Sequence, residues 1–379
     1  MSEKERSENI IENDLMINDN IDHEAIETNK TTEPKKRKKR KWLRVLLITL
    51  ISLFCLVLIA LIVGFVIFNN LLNKMGRTPD VSTTMSKEQI EQYIQENTET
   101  MDPNFTGEVL TDDDIDWGTV DVEEIPQGEH IINFLLVGKD RISSGICRTD
   151  TMILCTINKS TKQITLTSFM RDLYLRLPNG YNNRINASYV FGGIDLLRRT
   201  VEETFGVKVH GTFEVDFDGF KDVIDLVGGV EITLDQSEAN YMNKYTENQT
   251  RTFEAGTYNL VGDEALAYAR MRYVGGDTTR TYRQRVILSK IYDKCHDMSV
   301  TQLYKLLEKV LPIVTTNLTN GQIMSYALQL LPMLSDLSLN MNSRIPCEGS
   351  YKMCMVNQMS VLVADLNANR KLLEELMEP

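Results

Sequence analysis

Five arginines, Arg270, Arg272, Arg280, Arg283 and Arg285, fall within 16 residues, with Asp277 the only acid among them and no lysine. Lysine would solubilise a helix face equally well. Only arginine offers a planar fork that grips phosphate oxygens in pairs. The shortage of acidic partners counts against a face laced by its own ion pairs, so the pattern points to phosphate binding. Upstream, Asp140, the pair Arg148 and Asp150, and the pair Arg171 and Asp172 sit beside apolar runs. Asp140 and Asp150 flank a loop containing Gly145, so one cation could bridge them. Two carboxylates that leave water positions open suit Mg2+ that also touches phosphate.

Other chemistries lack their residues. The four histidines, His23, His130, His210 and His296, form no HExxH pair, and no GxSxG, Walker A, GxGxxG or CxxC pattern occurs. A zinc hydrolase, a serine triad and a nucleotide site are therefore unsupported.

The acids and arginines need elements to position them. Apolar runs at 131–137, 151–157, 163–168, 207–215 and 230–234 read as strands. Helical spacing covers 188–205, stopped by Gly206, and 217–226, closed by Gly228 and Gly229. Further helices are expected at 263–270, capped by Asp263, and at 281–296, 303–311, 321–334 and 365–377. Alternating strands and helices define an α/β class, here a central mixed β-sheet covered by helices. In such sheets the loops converge at one edge, where ligands bind.

Residues 1–44 read as a disordered tail ending in a cluster with eight basic residues between Lys35 and Arg44. Residues 45–68 are 24 residues without a charge, enough to span a bilayer as one transmembrane helix. The basic flank places the N-terminus in the cytoplasm and the rest of the chain outside the cell membrane, with attraction to anionic membrane lipid. Residues 69–130 read as an extracellular stalk and acidic linker holding a short helix, 86–96, capped by Ser86. The folded domain is expected over 131–379, with its core at 131–300. Five cysteines follow the span: Cys147, Cys155, Cys295, Cys347 and Cys354. Cys347 and Cys354 are close enough for a local disulfide, and free thiols are the equal alternative.

The net charge of −12 and pI near 5.0 speak against a nucleic-acid partner. That average hides the arginine-dense stretch.

Taken in order, FLLVGKD (134–140), RTDTM (148–152), SFMRD (168–172), RIN (184–186), VDFDGF (215–220), IDLVGGV (224–230), LVGDEALAYARMR (260–272) and DTTRTYRQ (277–284) resemble the LytR-CpsA-Psr (LCP) family of envelope proteins. The resemblance implies an LCP-like domain that transfers an anionic glycopolymer, of teichoic acid or capsular polysaccharide type, from a polyprenyl-pyrophosphate carrier to peptidoglycan. It implies that Asp140 and Asp150 hold Mg2+. It implies that Arg148, Arg171, Arg270, Arg272, Arg280 and Gln284 bind the pyrophosphate, and that the lipid tail lies in an apolar tunnel. Asp172 and Asp140 are then the candidates to accept the acceptor's hydroxyl proton. Met170 stands where the family usually has proline, and Ala187 where it commonly has histidine.

Other readings stay open. The same grip would serve a polyprenyl-pyrophosphate phosphatase with water as nucleophile. An inert lipid-binding or scaffold protein would not need paired carboxylates. A regulator of transcription would need a DNA-binding module, and the 44 residues before the span carry no helix-turn-helix pattern.

Overall fold

The basic cluster and the apolar run after it form one helix, α1 (Lys36–Leu72), within which Thr49–Leu72 is long and apolar enough to cross a membrane. The structure is a computed structural model that describes residues 36–78, 84–97, 107–118, 124–141 and 147–378. Of the expected disordered tail, 1–44, residues 1–35 lie outside the described residues, and 36–44 are not disordered but form the first turns of α1. The chain divides into two units, Met1–Val63 and Gly64–Pro379.

The second unit begins with β1 (Gly76–Arg77), α2 (Lys87–Glu96) and β2 (Glu108–Leu110). Then follow β3 (Ile131–Arg141), β4 (Cys147–Asn158), β5 (Gln163–Phe169), β6 (Tyr174–Arg176), β7 (Asn182–Arg184), α3 (Ile185–Phe205) and β8 (Gly211–Asp216). Next come α4 (Phe217–Leu226), β9 (Val230–Leu234), α5 (Gln236–Tyr245), β10 (Gly256–Leu260), α6 (Gly262–Arg270), α7 (Gly276–His296) and α8 (Val300–Val310). The chain closes with β11 (Thr315–Thr316), α9 (Asn320–Leu330), β12 (Ser338–Ile345), β13 (Tyr351–Val356), β14 (Met359–Ala364) and α10 (Leu366–Met377).

Seven strands form one mixed sheet in the order β1-β11-β8-β3-β4-β5-β12. β3 runs parallel to β8 and antiparallel to β4, and β5 runs parallel to β12. Strand alternation divides the sheet's two faces. Leu135, Val137, Met152 and Leu154 join a core with Phe191, Leu197 and Val201 of α3. Leu136, Gly138 and Asp140 lie on the other face and line a cavity. Gly206 ends α3 in the left-handed region at φ 69°, where a side chain would be strained.

The stretch expected as a detached stalk is folded into the domain wherever it is described. β1 pairs with β11, and β2 pairs with β13. α2 carries the expected Ser86 cap, in a reciprocal capping box with Gln89. It presents Ile90, Tyr93 and Ile94 to the α3 core, and Ile90 is buried. Burying one such side chain stabilises by roughly 2 kcal/mol. The i, i+3, i+4 apolar stripe on α2 is the physical reason this segment docks.

Some boundaries also move. Val207 and Val209 are buried as expected, but the strand starts only at Gly211. α6 begins at Gly262 with Val261, not the expected Asp263, at its N-cap, and the Glu264 carboxylate reaches back to accept from the Val261 amide at 3.1 Å. The cysteines are free thiols. Cys354 is buried and the Cys347 thiol donates to Ser350 Oγ at 3.2 Å, so no disulfide joins them.

Candidate active site

The cavity lies on the sheet face opposite α3 and has a volume of about 1220 Å3. Its position depends on a local fault in the sheet. Gly138 pairs with Thr151 while Lys139 pairs with Thr149, so Asp150 is the extra residue of a β-bulge. Thr151 and Ile153 already face the cavity. Regular alternation would send Arg148 and Asp150 to the opposite face, and the bulge brings both back to the cavity. Thr149 is fully buried beneath, its hydroxyl 2.8 Å from the Gly138 carbonyl oxygen and 3.0 Å from that of Thr151. A Cβ on Gly138 would stand 3.0 Å from Thr151 Cβ, so glycine keeps the cavity floor open here.

Asp150 is the hub of the charges. Its carboxylate lies 3.1 Å from Arg171 Nη1, 2.6 Å from Arg272 Nη2 and 3.4 Å from Arg280 Nη1. Burial, the largest influence, would raise its pKa, but Arg171, Arg280 and Arg272 together outweigh it and hold the carboxyl below its ordinary value. Arg280 is buried to 2% side-chain exposure, with Asp277 Oδ1 2.8 Å from its Nη2. Burial drives its pKa down, partly offset by Asp277 and Asp150.

Each arginine is aimed by its element. Arg270 and Arg272 bracket the end of α6, where Met271 turns extended and is fully buried, so both neighbours project toward the cavity. Arg270 also lies over the Phe217 ring at 4.8 Å. On α7, Arg280, Gln284, Leu288 and Ile291 make one stripe along the cavity. Arg148 lies opposite Asp140 across β3 and β4, and its guanidinium donates to Asn97 Oδ1 at 2.7 Å. Arg171 follows Met170, whose amide donates to the Ile345 carbonyl at 2.7 Å. Proline could not make that bond, so here a strand hydrogen bond fixes the backbone that a ring would otherwise restrict. Asp172 lies 3.3 Å from Arg171 Nε and 3.6 Å from Arg184 Nε.

Asp140, Arg148, Asp150, Arg171, Asp172, Arg270, Arg272, Arg280 and Gln284 therefore all line one cavity. Arg283 and Arg285 do not. Arg283 binds Glu238 and the carbonyls of Met271 and Val274. Arg285 binds Ser168 Oγ and the Met341 carbonyl. Both tie the α7 helix to its surroundings. Sequence reasoning missed Tyr93, Asn97 and Arg184 as lining residues and Asp277 as a partner of Arg280. The capping box and apolar stripe of α2 were the available signal for the first two.

The far part of the cavity is apolar, lined by Leu136, Ile153, Phe213, Val215, Leu288 and Val314. Val314 and Phe213 also pack against the cluster formed by Leu71, Leu72 and Met75.

Residues 81–377 match the LytR_cpsA_psr family. The chain belongs to this family. Among curated LytR_cpsA_psr relatives, it is 31% identical over 225 residues to biofilm regulatory protein A of Streptococcus mutans, covering 55% of each chain. It is 34% identical over 195 residues to the polyisoprenyl-teichoic acid–peptidoglycan teichoic acid transferase TagU of Bacillus cereus, covering 50% of this chain and 62% of that one. The matched region thus spans 55% and 62% of those two relatives' lengths. The fold is similar to Bacillus subtilis TagT, at TM-score 0.52 and 25% identity over 68% of this chain and 93% of that one. A structure of TagT bound to LI-WTA gives TM-score 0.54 with the same identity and coverage.

Proposed function

We propose that this protein transfers a phosphate-linked anionic glycopolymer from a polyprenyl-pyrophosphate carrier to peptidoglycan. The observation that carries this reading is one cavity with an arginine cluster around Asp150 at one end and an apolar wall at the other. The names of TagU and of TagT bound to LI-WTA support it. We further propose a single-pass membrane protein, with α1 as the span, the N-terminus in the cytoplasm and the LytR_cpsA_psr domain outside.

Phosphate oxygens of the carrier take the guanidinium groups of Arg171, Arg272 and Arg280, which Asp150 holds in place beforehand. Prepositioned cations of this kind stabilise charge as it develops without reorganising. Arg148, Arg270 and Gln284 close the grip. The acceptor hydroxyl attacks the phosphorus nearer the glycan. A new P–O bond forms, the bond to the bridging oxygen breaks, and polyprenyl phosphate leaves with the electron pair. Asp172 or Asp140 accepts the hydroxyl proton.

Magnesium fits the residues present. Asp140 lines the cavity without an ion-pair partner among the described residues, so it would be the main holder of Mg2+, with Asp150, already paired with three arginines, beside it. No cluster of three or more metal-ligating side chains occurs among the described residues, so the substrate has to supply ligands. Held by Asp140 and Asp150, Mg2+ would neutralise charge on the phosphate oxygens.

The test combines two measurements on the full chain in detergent. Mass spectrometry of co-purifying lipid should find a polyprenyl pyrophosphate. Transfer from a lipid-linked donor to peptidoglycan should need divalent cation and fall at least 100-fold in Arg270→Ala and Asp140→Ala. Release of inorganic phosphate without transfer would instead identify a phosphatase. Unchanged transfer in both variants would remove the proposal.

A further inference from the structure

Three tyrosines at the cavity take no part in the phosphate grip. Tyr241 and Tyr245 lie on α5, and Tyr273 follows Arg272 directly. All three line the cavity. Their rings touch one another: Tyr241 to Tyr245 at 4.4 Å between centroids, Tyr241 to Tyr273 at 6.2 Å, and Tyr245 to Tyr273 at 5.9 Å with planes 13° apart. Tyr273 is 83% exposed and Tyr245 42%. Single exposed aromatics need no explanation, but a contiguous exposed cluster beside a pocket marks a binding surface.

The cluster adjoins the cations. Arg270 and Arg272 line the same cavity, and Tyr241 is less exposed than Tyr245 and Tyr273. Glu247, two residues beyond Tyr245, also lines the cavity. A hydrocarbon chain gains nothing from phenol hydroxyls and a carboxylate, and the apolar wall already offers it a path. A sugar ring has an apolar C–H face for an aromatic ring and hydroxyls for a carboxylate.

We propose that Tyr245 and Tyr273 form a saccharide-stacking platform that holds the sugar attached to the pyrophosphate, with Tyr241 as its base and Glu247 as a hydroxyl acceptor. This rests on the pyrophosphate reading of the arginines. Recognition of the first sugar would then be set by α5 and the turn after α6, outside the residues that hold phosphate.

The test compares two ligands on the full chain in detergent: farnesyl pyrophosphate and the same compound carrying N-acetylglucosamine on its terminal phosphate. Wild type should bind the sugar-bearing ligand at least 10-fold tighter. Tyr245→Ala with Tyr273→Ala should close that gap and leave farnesyl pyrophosphate affinity within about twofold. Tyr273→Trp should keep the gap. A gap that survives the double variant, or is absent in wild type, overturns the platform. Equal weakening of both ligands in the double variant also overturns it, assigning the tyrosines to the carrier or to folding. Wild type that binds neither ligand overturns the pyrophosphate reading itself, and the platform with it.

Discussion

The Thr149 hydroxyl sits 2.8 Å from the Gly138 carbonyl oxygen, directly beneath the bulge that turns Asp150 into the cavity. The hydroxyl also lies 3.0 Å from the Thr151 carbonyl oxygen, so its proton serves both sides of the fault. Thr149→Val keeps the shape and removes the proton. It should lower stability by about 1–3 kcal/mol, the cost of stranding a buried acceptor. Transfer should fall at least tenfold as Asp150 loses its aim. Thr149→Ser should retain most of both, as melting curves and initial rates will show.

The Asp150 carboxyl titrates below its ordinary value of 3.8. A depressed carboxylate contributes stability that is full above the unfolded pKa and is lost as pH falls through the lower folded pKa. Asp150→Asn removes that contribution at every pH. The stability gap between wild type and the variant should be roughly 2 kcal/mol at pH 7, a value reduced for partial solvent exposure. It should stay constant down to about pH 5 and close only below 3.8. Urea titrations across this range check the sign. A gap that widened on acidification would contradict the geometry.

Asn97 holds Arg148 from a helix that precedes the catalytic strands by more than thirty residues. Asn97→Ala should leave stability within about 1 kcal/mol, since the bond is only part-buried. The Arg148 guanidinium then loses its fixed direction. The Michaelis constant for the donor should rise about three- to tenfold, read from initial rates at saturating acceptor.

These contrasts show what the sequence made legible. Eight of the nine proposed site residues are acids or arginines that stood out in the sequence, whereas Gln284 was named only through the family resemblance; all nine line one cavity. The strands β3, β4 and β5 and the helices α4 and α10 were readable from clean periodicity. The bulge was not, because one inserted residue leaves no mark in composition and shows only in cross-strand register. The helix α2 and its Ser86 cap were readable, but its docking onto the domain was not. Its sequence is polar enough to read as a linker, and only tertiary burial of Ile90 decides the matter. Arg283 and Arg285 looked equivalent to their neighbours, and helix phase alone separates them.

Met170 offers a test of how one backbone solution replaces another. Its amide donates to the Ile345 carbonyl, joining β5 to β12 just before Arg171. Met170→Pro should destabilise by about 1–3 kcal/mol by deleting that donor. Met170→Leu should cost under about 1.5 kcal/mol. Parallel melting curves of the two variants distinguish loss of the donor from loss of the side chain.

Only three residues, Asn73 to Met75, separate α1 from β1. They are not slack, because the amides of Lys74 and Met75 bond back to the carbonyls of Leu71 and Leu72, and both leucines are buried in the domain. The exit from the apolar helix is thereby a fixed joint and not a tether. On the proposed reading, with the span in a bilayer, this domain and a lipid-borne donor would meet by a search in two dimensions.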